Sequence, residues 1–365
     1  MLFLLASAHA LCATEIVTLR LERIIISTDD RGFETAGSHK PFHPWGLNYG
    51  NAGRLMEDFW DREWQTLADD FQKMHAMGTN VVRVHLQFGK FMDSATQPNA
   101  ASLSKLQRML KLAEDTGLYL DITGLACYRK ADVPAWYDNL NERSRWAAQA
   151  VFWAAVAKTC KESAAVFCYD LINEPLSPGE KRGSQEWYSG KTLGGYDFLQ
   201  MIAVDPAGRK REDIPVEWIA FLTKAIHAED SGHLITVGLL PWSRQWKHLS
   251  GFIPEKVAPV LDFLSVHIYP DSKLPGEALE CLEHFNVGKP VVIEETFPLS
   301  CKPKELEEFL LASRKIACGW VGHYDGKDIK EADALEKAGK LSLHDTVYRG
   351  WLRMFVQLKP QFAPE

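Results

Sequence analysis

From Trp45 onward the chain alternates short apolar runs with longer amphipathic stretches, and it does so eight times. The runs are WGLNY (from Trp45), NVVRVHL (from Asn80), LYLDITG (from Leu118), VFCYDLI (from Val166), HLITVGL (from His233), FLSVHIYP (from Phe263), VVIEETF (from Val291) and GWVGHY (from Gly319). Most are β-branched or aromatic and too short for a helix, so they read as buried strands. The intervening stretches carry helical spacing. In DREWQTLADDFQKMHAMG, Trp64, Leu67, Phe71 and Met74 share one helical face and Gly78 suits the stop. SLSKLQRMLKLAEDTG repeats the design with Leu103, Leu106, Leu110 and Ala113 ahead of Gly117, and so do VEWIAFLTKAIHAEDSG and PKELEEFLLASRKIACG. Eight such units predict an α/β fold, a (β/α)8 TIM barrel. A doubly wound sheet is the alternative, but no GxGxxG or GxxxxGK[ST] loop follows the first strand.

Two segments depart from the rhythm. IVTLRLERIII followed by DDRGFETAG suggests a short β lead-in before the barrel. Between Pro175 and His233 the fourth βα loop is enlarged, and Gln185–Tyr196 offers Trp187, Tyr188 and Tyr196 either as sugar-stacking rings or as a small core of the loop itself. Residues 1–13, MLFLLASAHALCA, are apolar and end in small residues, as a secretory signal peptide does. A single domain over 14–365 and an exported, secreted or periplasmic product follow as expectations. No other stretch reaches the roughly 18 apolar residues a membrane span needs. Cys12 leaves with the leader, and the six remaining cysteines are an even number compatible with disulfides. Net charge is −7, with basic density only at Gly208–Asp213, so no electrostatic footprint for nucleic acid exists. Nothing in the chain sets an oligomeric state.

In a barrel of this kind, chemistry sits at the C-terminal ends of the strands. The fourth run ends in Asn173 and Glu174, stopped by Pro175, which cannot continue a ladder. The second carries Arg83 and His85 on one face, the sixth ends in His267-Ile268-Tyr269, and the seventh in Glu294-Glu295. Each alone has an ordinary structural reading: a helix cap, an ion pair, a core histidine, a surface acid. Their shared position at one end of the strands points instead to glycoside hydrolysis. That reaction needs one carboxyl to protonate the leaving oxygen and a second to attack or to activate water. A metal-dependent hydrolase is disfavoured: His85, His267 and His323 lack ligand spacing, with no HxH on the first strand and no HExxH. No metal or cofactor is expected, and the partner is a carbohydrate substrate.

Asn173-Glu174-Pro175 closing the fourth strand, with Lys289-Pro290 leading into VVIEE, resembles glycoside hydrolase family 5, the cellulase-like group of clan A. The likeness runs from WGLN to GWVGHY, most of residues 40–325. It implies a retaining β-glycosidase in which Glu174 is the acid/base and Glu295 the nucleophile. Asn173 would hold the sugar 2-hydroxyl, Arg83 and Tyr269 would orient Glu295, and His267 would line the same subsite. Adjacent strand residues face opposite ways, so only one of Glu294 and Glu295 is expected to face the sugar. Two positions depart from the family pattern. Thr123 stands where the third strand often ends in His, and on the eighth strand Trp320 comes early, leaving His323 or Tyr324 at the usual Trp position. His85, Trp242, Trp320 and His323 complete the expected substrate-binding set, and Trp136, Tyr137, Trp187 and Tyr188 are further stacking candidates. The alternatives are a non-catalytic carbohydrate-binding barrel and a transglycosylase on the same scaffold.

Overall fold

The computed structural model describes residues 21–189 and 193–364. The leader reading of 1–13 lies outside the described residues. Eight parallel strands close into a barrel: β1 (Trp45–Gly50), β2 (Val81–Gln87), β3 (Tyr119–Ala126), β4 (Val166–Asn173), β5 (Leu234–Leu239), β6 (Leu264–His267), β7 (Val291–Glu295) and β8 (Gly319–Asp325). Each coincides with one of the eight apolar runs. The outer layer includes helices Trp64–Ala76, Ala100–Thr116, Glu142–Cys160, Asp213–His227, Glu277–His284, Pro303–Ser313 and Leu343–Phe362; after β5 the helix shrinks to one turn, Pro254–Val257. Leu67, Phe71 and Met74 are buried beneath the first helix, while Trp64 is half-buried under the Arg108 guanidinium at 4.0 Å. Gly117 closes the second helix at φ 77°, a left-handed turn that suits glycine.

The lead-in is a three-stranded antiparallel sheet, Ile24–Ile26, Phe33–Thr35 and Pro41–Phe42. It plugs the N-terminal mouth of the barrel. Phe33 meets the Phe167 and Phe263 rings edge-on at 5.1 Å, and Ile24 and Phe42 join Val81, Val292 and Val321 in one apolar cluster. Above that plug the barrel interior is polar. Arg83, Asp121, Asp170, Thr236, Ser265, His267 and Glu294 are all buried where barrels commonly stack Val, Ile and Leu. Such a layer is tolerable only if its charges compensate one another.

Local register shifts aim these side chains. On β4, Asp170 pairs with Thr236 but Asn173 pairs with Gly238, so β4 carries one extra residue. On β7, Ile293 pairs with Val266 and Glu295 with His267, which leaves Glu294 as an extra residue. A bulge interrupts the in–out alternation. Glu294 follows Val292 inward by alternation, and the bulge brings Glu295 in beside it. Both glutamates face inward, with Glu294 fully buried below Glu295.

The enlarged fourth loop has a core of its own. Trp187 is 1% exposed, stands edge-on to Tyr137 at 5.2 Å, donates its indole N–H to Asp138 at 3.0 Å and lies 4.9 Å from the Arg145 guanidinium. It packs the loop and presents no open face. Tyr196 ties the loop to the first βα connection by donating its hydroxyl hydrogen to the Gly53 carbonyl at 2.6 Å. Among the described residues all six cysteines are free thiols, so the even count marks no disulfide. No described helix is long and apolar enough to cross a membrane.

Candidate active site

Arg83 organises the mouth of the barrel. Its Nη1 donates to Glu295 Oε1 at 2.6 Å and to Asn48 Oδ1 at 2.9 Å, and its Nη2 donates to Asp170 Oδ2 at 2.7 Å and Asn173 Oδ1 at 3.1 Å. Glu294 Oε2 lies 3.4 Å from Nη2. One fully buried guanidinium thus spans β1, β4 and β7 through its planar fork, which a lysine cannot copy. Tyr269, just past β6, donates to Glu295 Oε2 at 2.5 Å, and its oxygen is 2.9 Å from His323 Nε2 on β8. His85 on β2 contacts the Tyr128 hydroxyl at 2.6 Å and Asn48 Oδ1 at 3.3 Å.

Glu174 follows β4 with φ 46°, a left-handed conformation unusual for a side chain with a Cβ. Its N–H is held by the Gly238 carbonyl at 2.8 Å. The turn lifts the carboxyl over the mouth, where Oε1 is 3.0 Å from His267 Nδ1. His267 Nε2 lies 3.2 Å from Glu294 Oε2, and its Nδ1 is 3.5 Å from Glu295 Oε2. Carboxylate oxygens of Glu174 and Glu295 approach within 4.8 Å. Gly238 leaves room for this cluster, since a Cβ there would sit 2.8 Å from Arg83 Nη2 and Glu294 Oε2 and 2.9 Å from His267 Nε2.

The electrostatics follow from burial and from these contacts. Burial alone would raise the Glu295 carboxyl, but the His267 and Arg83 charges win and hold it well below the ordinary carboxylate range. Burial disfavours the His267 cation, yet the Glu295 charge and bonds to Glu174 and Glu294 push it up to about 10. Tyr269 is raised well above its ordinary value by burial and the Glu295 charge, so it stays a phenol and a donor. Burial and Arg83 keep His85 neutral, and burial lowers His323. Asp170 is pushed up to about 6 by burial and by the Glu294 charge.

Eight of the ten residues expected from the sequence lie in this network: Arg83, His85, Asn173, Glu174, His267, Tyr269, Glu295 and His323. The two tryptophans do not. Trp320 is 4% exposed and donates its indole N–H to Ser313 Oγ at 2.8 Å, because alternation on β8 turns it toward the helices and His323 inward. Trp242 is 5% exposed, with its ring stacked on His284 at 4.1 Å, so no face is open for a sugar. Asn48, Asp121, Asp170 and Tyr128 were missed. The first three stand as lone polar residues inside apolar runs at inward positions, a signal that could have found them.

Two groups of three could offer metal ligands by distance: Glu174, His267 and Glu295, and Asp121, Asp170 and Glu294. The Arg83 fork already occupies the place a cation would take between Asp170, Glu294 and Glu295. The residues do not fit a resident metal.

A parallel eight-stranded barrel with two facing carboxyls at the ends of β4 and β7 is an arrangement suited to glycoside hydrolysis. Residues 38–296 match the cellulase family, glycosyl hydrolase family 5, and the chain belongs to that family. Solved structures of similar fold include an exo-β-1,4-mannosidase from Opitutaceae bacterium strain TAV5, with TM-score 0.65, 16% identity, and coverage of 92% of this chain and 62% of that one. A β-mannanase from the blue mussel Mytilus edulis gives TM-score 0.61, 17% identity and coverage of 93% and 97%. A β-1,4-mannanase from the sea hare Aplysia kurodai gives 0.60, 15%, 94% and 98%. The chain thus spans under two thirds of the bacterial enzyme and nearly all of the molluscan ones. No curated protein matches it by sequence.

Proposed function

We propose that Glu295 is the nucleophile and Glu174 the acid/base of a double displacement. Glu295 attacks the anomeric carbon while Glu174 gives its proton to the departing glycosidic oxygen. Water then cleaves the glycosyl ester, losing a proton to Glu174 and restoring the Glu295 carboxylate. The observation that carries this reading is the approach of the two carboxyls within 4.8 Å, with Glu295 gripped by Arg83 at 2.6 Å and Tyr269 at 2.5 Å. A retaining pair stands about 5–5.5 Å apart, and an inverting pair farther, to admit water between them. Asn173 is assigned to the 2-hydroxyl, and His85 and His323 to other hydroxyls of the same sugar. The solved relatives act on β-mannosides or β-mannans by name, so β-manno-configured substrates are the first choice. Residues 14–365 are read as one exported catalytic domain, freed from a leader over 1–13.

The test is hydrolysis of aryl β-glycosides and of β-mannan and β-glucan oligosaccharides by the wild type, Glu174→Gln and Glu295→Gln. Loss of turnover on oligosaccharides in both variants is expected. Full activity in Glu295→Gln would remove it as nucleophile. Transfer to a sugar acceptor at millimolar concentration in preference to water would move the assignment to a transglycosylase.

A further inference from the structure

Glu294 has no part in the two-carboxylate chemistry, yet it is fully buried directly beneath it. Its Oε2 faces His267 Nε2 at 3.2 Å and Arg83 Nη2 at 3.4 Å. Its Oε1 has no N–H or O–H donor. Asp121 on β3 stands beside Glu294, with carboxylate oxygens of the two within 4.8 Å, and neither Asp121 oxygen has such a donor either. The Cys168 thiol, a weak donor, and the Asp170 carboxyl are the other polar neighbours of Asp121. Two buried carboxyls in contact cannot both carry charge, so one must hold the proton that joins them. Glu294 has two cationic neighbours and Asp121 touches neither, which puts the proton on Asp121. His267 then sits between acceptors on both sides: Glu174 Oε1 at Nδ1 and Glu294 Oε2 at Nε2. A neutral imidazole has one N–H; if that faces Glu294, Nδ1 must accept the Glu174 proton and turn it away from the leaving group.

We propose that Glu294 is a positioning residue whose carboxylate, joined to a protonated Asp121, fixes His267 as an imidazolium between Glu174 and Glu295. The cation then donates Nδ1–H to one Glu174 oxygen and leaves the other for the leaving group, while its charge keeps Glu295 ionised. The charged and titratable groups around His267 are Arg83 and His85 from β2, Glu174 after β4, Tyr269 after β6, Glu294 and Glu295 from β7, and His323 from β8. Two positive charges, Arg83 and His267, thereby face three buried carboxylates, Asp170, Glu294 and Glu295, with Asp121 neutral. The burial of Asp121 and the Glu294 charge beside it raise its carboxyl well above the usual range, in agreement.

The proposal rests on the assignment of Glu174 and Glu295, but its test reads the imidazole without turnover. The full-length protein is labelled with ¹⁵N-histidine, and the His267 signals are assigned by their loss in His267→Gln. The wild type is expected to show an imidazolium at pH ~8, well above the ordinary imidazole value of ~6.5. Glu294→Gln is expected to bring that titration down toward ~6.5 and to lower kcat roughly tenfold at pH ~7.5, one unit above that value, where about one imidazole in ten stays charged, with KM little changed. Asp121→Asn, whose amide N–H replaces the carboxylic O–H, should keep His267 charged at the same pH. A neutral His267 at pH ~8 in the wild type, or an unaltered titration in Glu294→Gln, would overturn the proposal. If Glu294→Gln does not fold, the wild-type titration and Asp121→Asn still decide, since loss of the imidazolium in Asp121→Asn contradicts a protonated Asp121.

Discussion

Replacing Arg83 with leucine removes the guanidinium and keeps a side chain of apolar bulk. Asp170, Glu294 and Glu295 then lose their shared cation, which contacts them at 2.7, 3.4 and 2.6 Å. Breaking a buried ion pair from one side costs about 3–5 kcal/mol. One arginine here serves three buried acids, so a loss of ~5 kcal/mol at neutral pH is expected. The pH dependence follows from the sign of the Glu295 shift. In the wild type its folded value lies below the unfolded one, so its contribution is present above the unfolded value of ~4.3 and is lost only as pH falls through the depressed folded value. Without Arg83 the folded value rises. The destabilisation is then full above that raised value and is relieved as pH falls toward ~4.3, by about 1.4 kcal/mol for each unit by which the raised value exceeds ~4.3. Urea unfolding followed by tryptophan fluorescence and far-ultraviolet circular dichroism at pH ~7 and ~5 measures both. A loss under ~1 kcal/mol, or the same loss at both pH values, would refute the reasoning.

Glu174→Gln should lower turnover of oligosaccharides by about 10²–10⁴-fold while sparing dinitrophenyl glycosides, whose leaving group needs no acid; steady-state rates on both substrates check this. Gly238→Ala drives a methyl into Arg83, Glu294 and His267, and should cost about 1–3 kcal/mol in urea titrations along with most of the activity. Trp187→Ala should destabilise the protein by ~3–5 kcal/mol and leave KM for short substrates unchanged, since its ring packs the fourth loop; a raised KM with intact stability would make it a sugar platform.

The barrel was legible because strands and helices obey different periods. Leu67, Phe71 and Met74 declare one helical face, and the inward polar residues of VVRVHL declare one strand face. The site was legible where a polar residue closes a strand, as at Asn173, Glu174, His267 and Tyr269. It was not legible where register shifts: nothing in VVIEE marks the bulge that admits both Glu294 and Glu295, because the extra residue exists only relative to Val266 and His267 on the neighbouring strand. The tryptophans misled for a related reason. Ring chemistry is the same in a core and on a sugar platform, and only strand parity at Trp320 and the stack on His284 at Trp242 tell them apart. The polar interior escaped notice because Asp121 and Asp170 were read as members of apolar runs. The burial of Asp170 makes sense only once Arg83 is seen to reach it from β2.

The most direct test of the account is to trap the glycosyl–enzyme ester. The protein is incubated with a 2-deoxy-2-fluoro-β-glycoside bearing a dinitrophenyl leaving group, in manno and gluco forms, then digested and read by tandem mass spectrometry. One added fluorosugar is expected on the peptide containing Glu295, with fragmentation placing it on that residue. An adduct on Glu294, or release of the product with inverted anomeric configuration and no adduct, would contradict it.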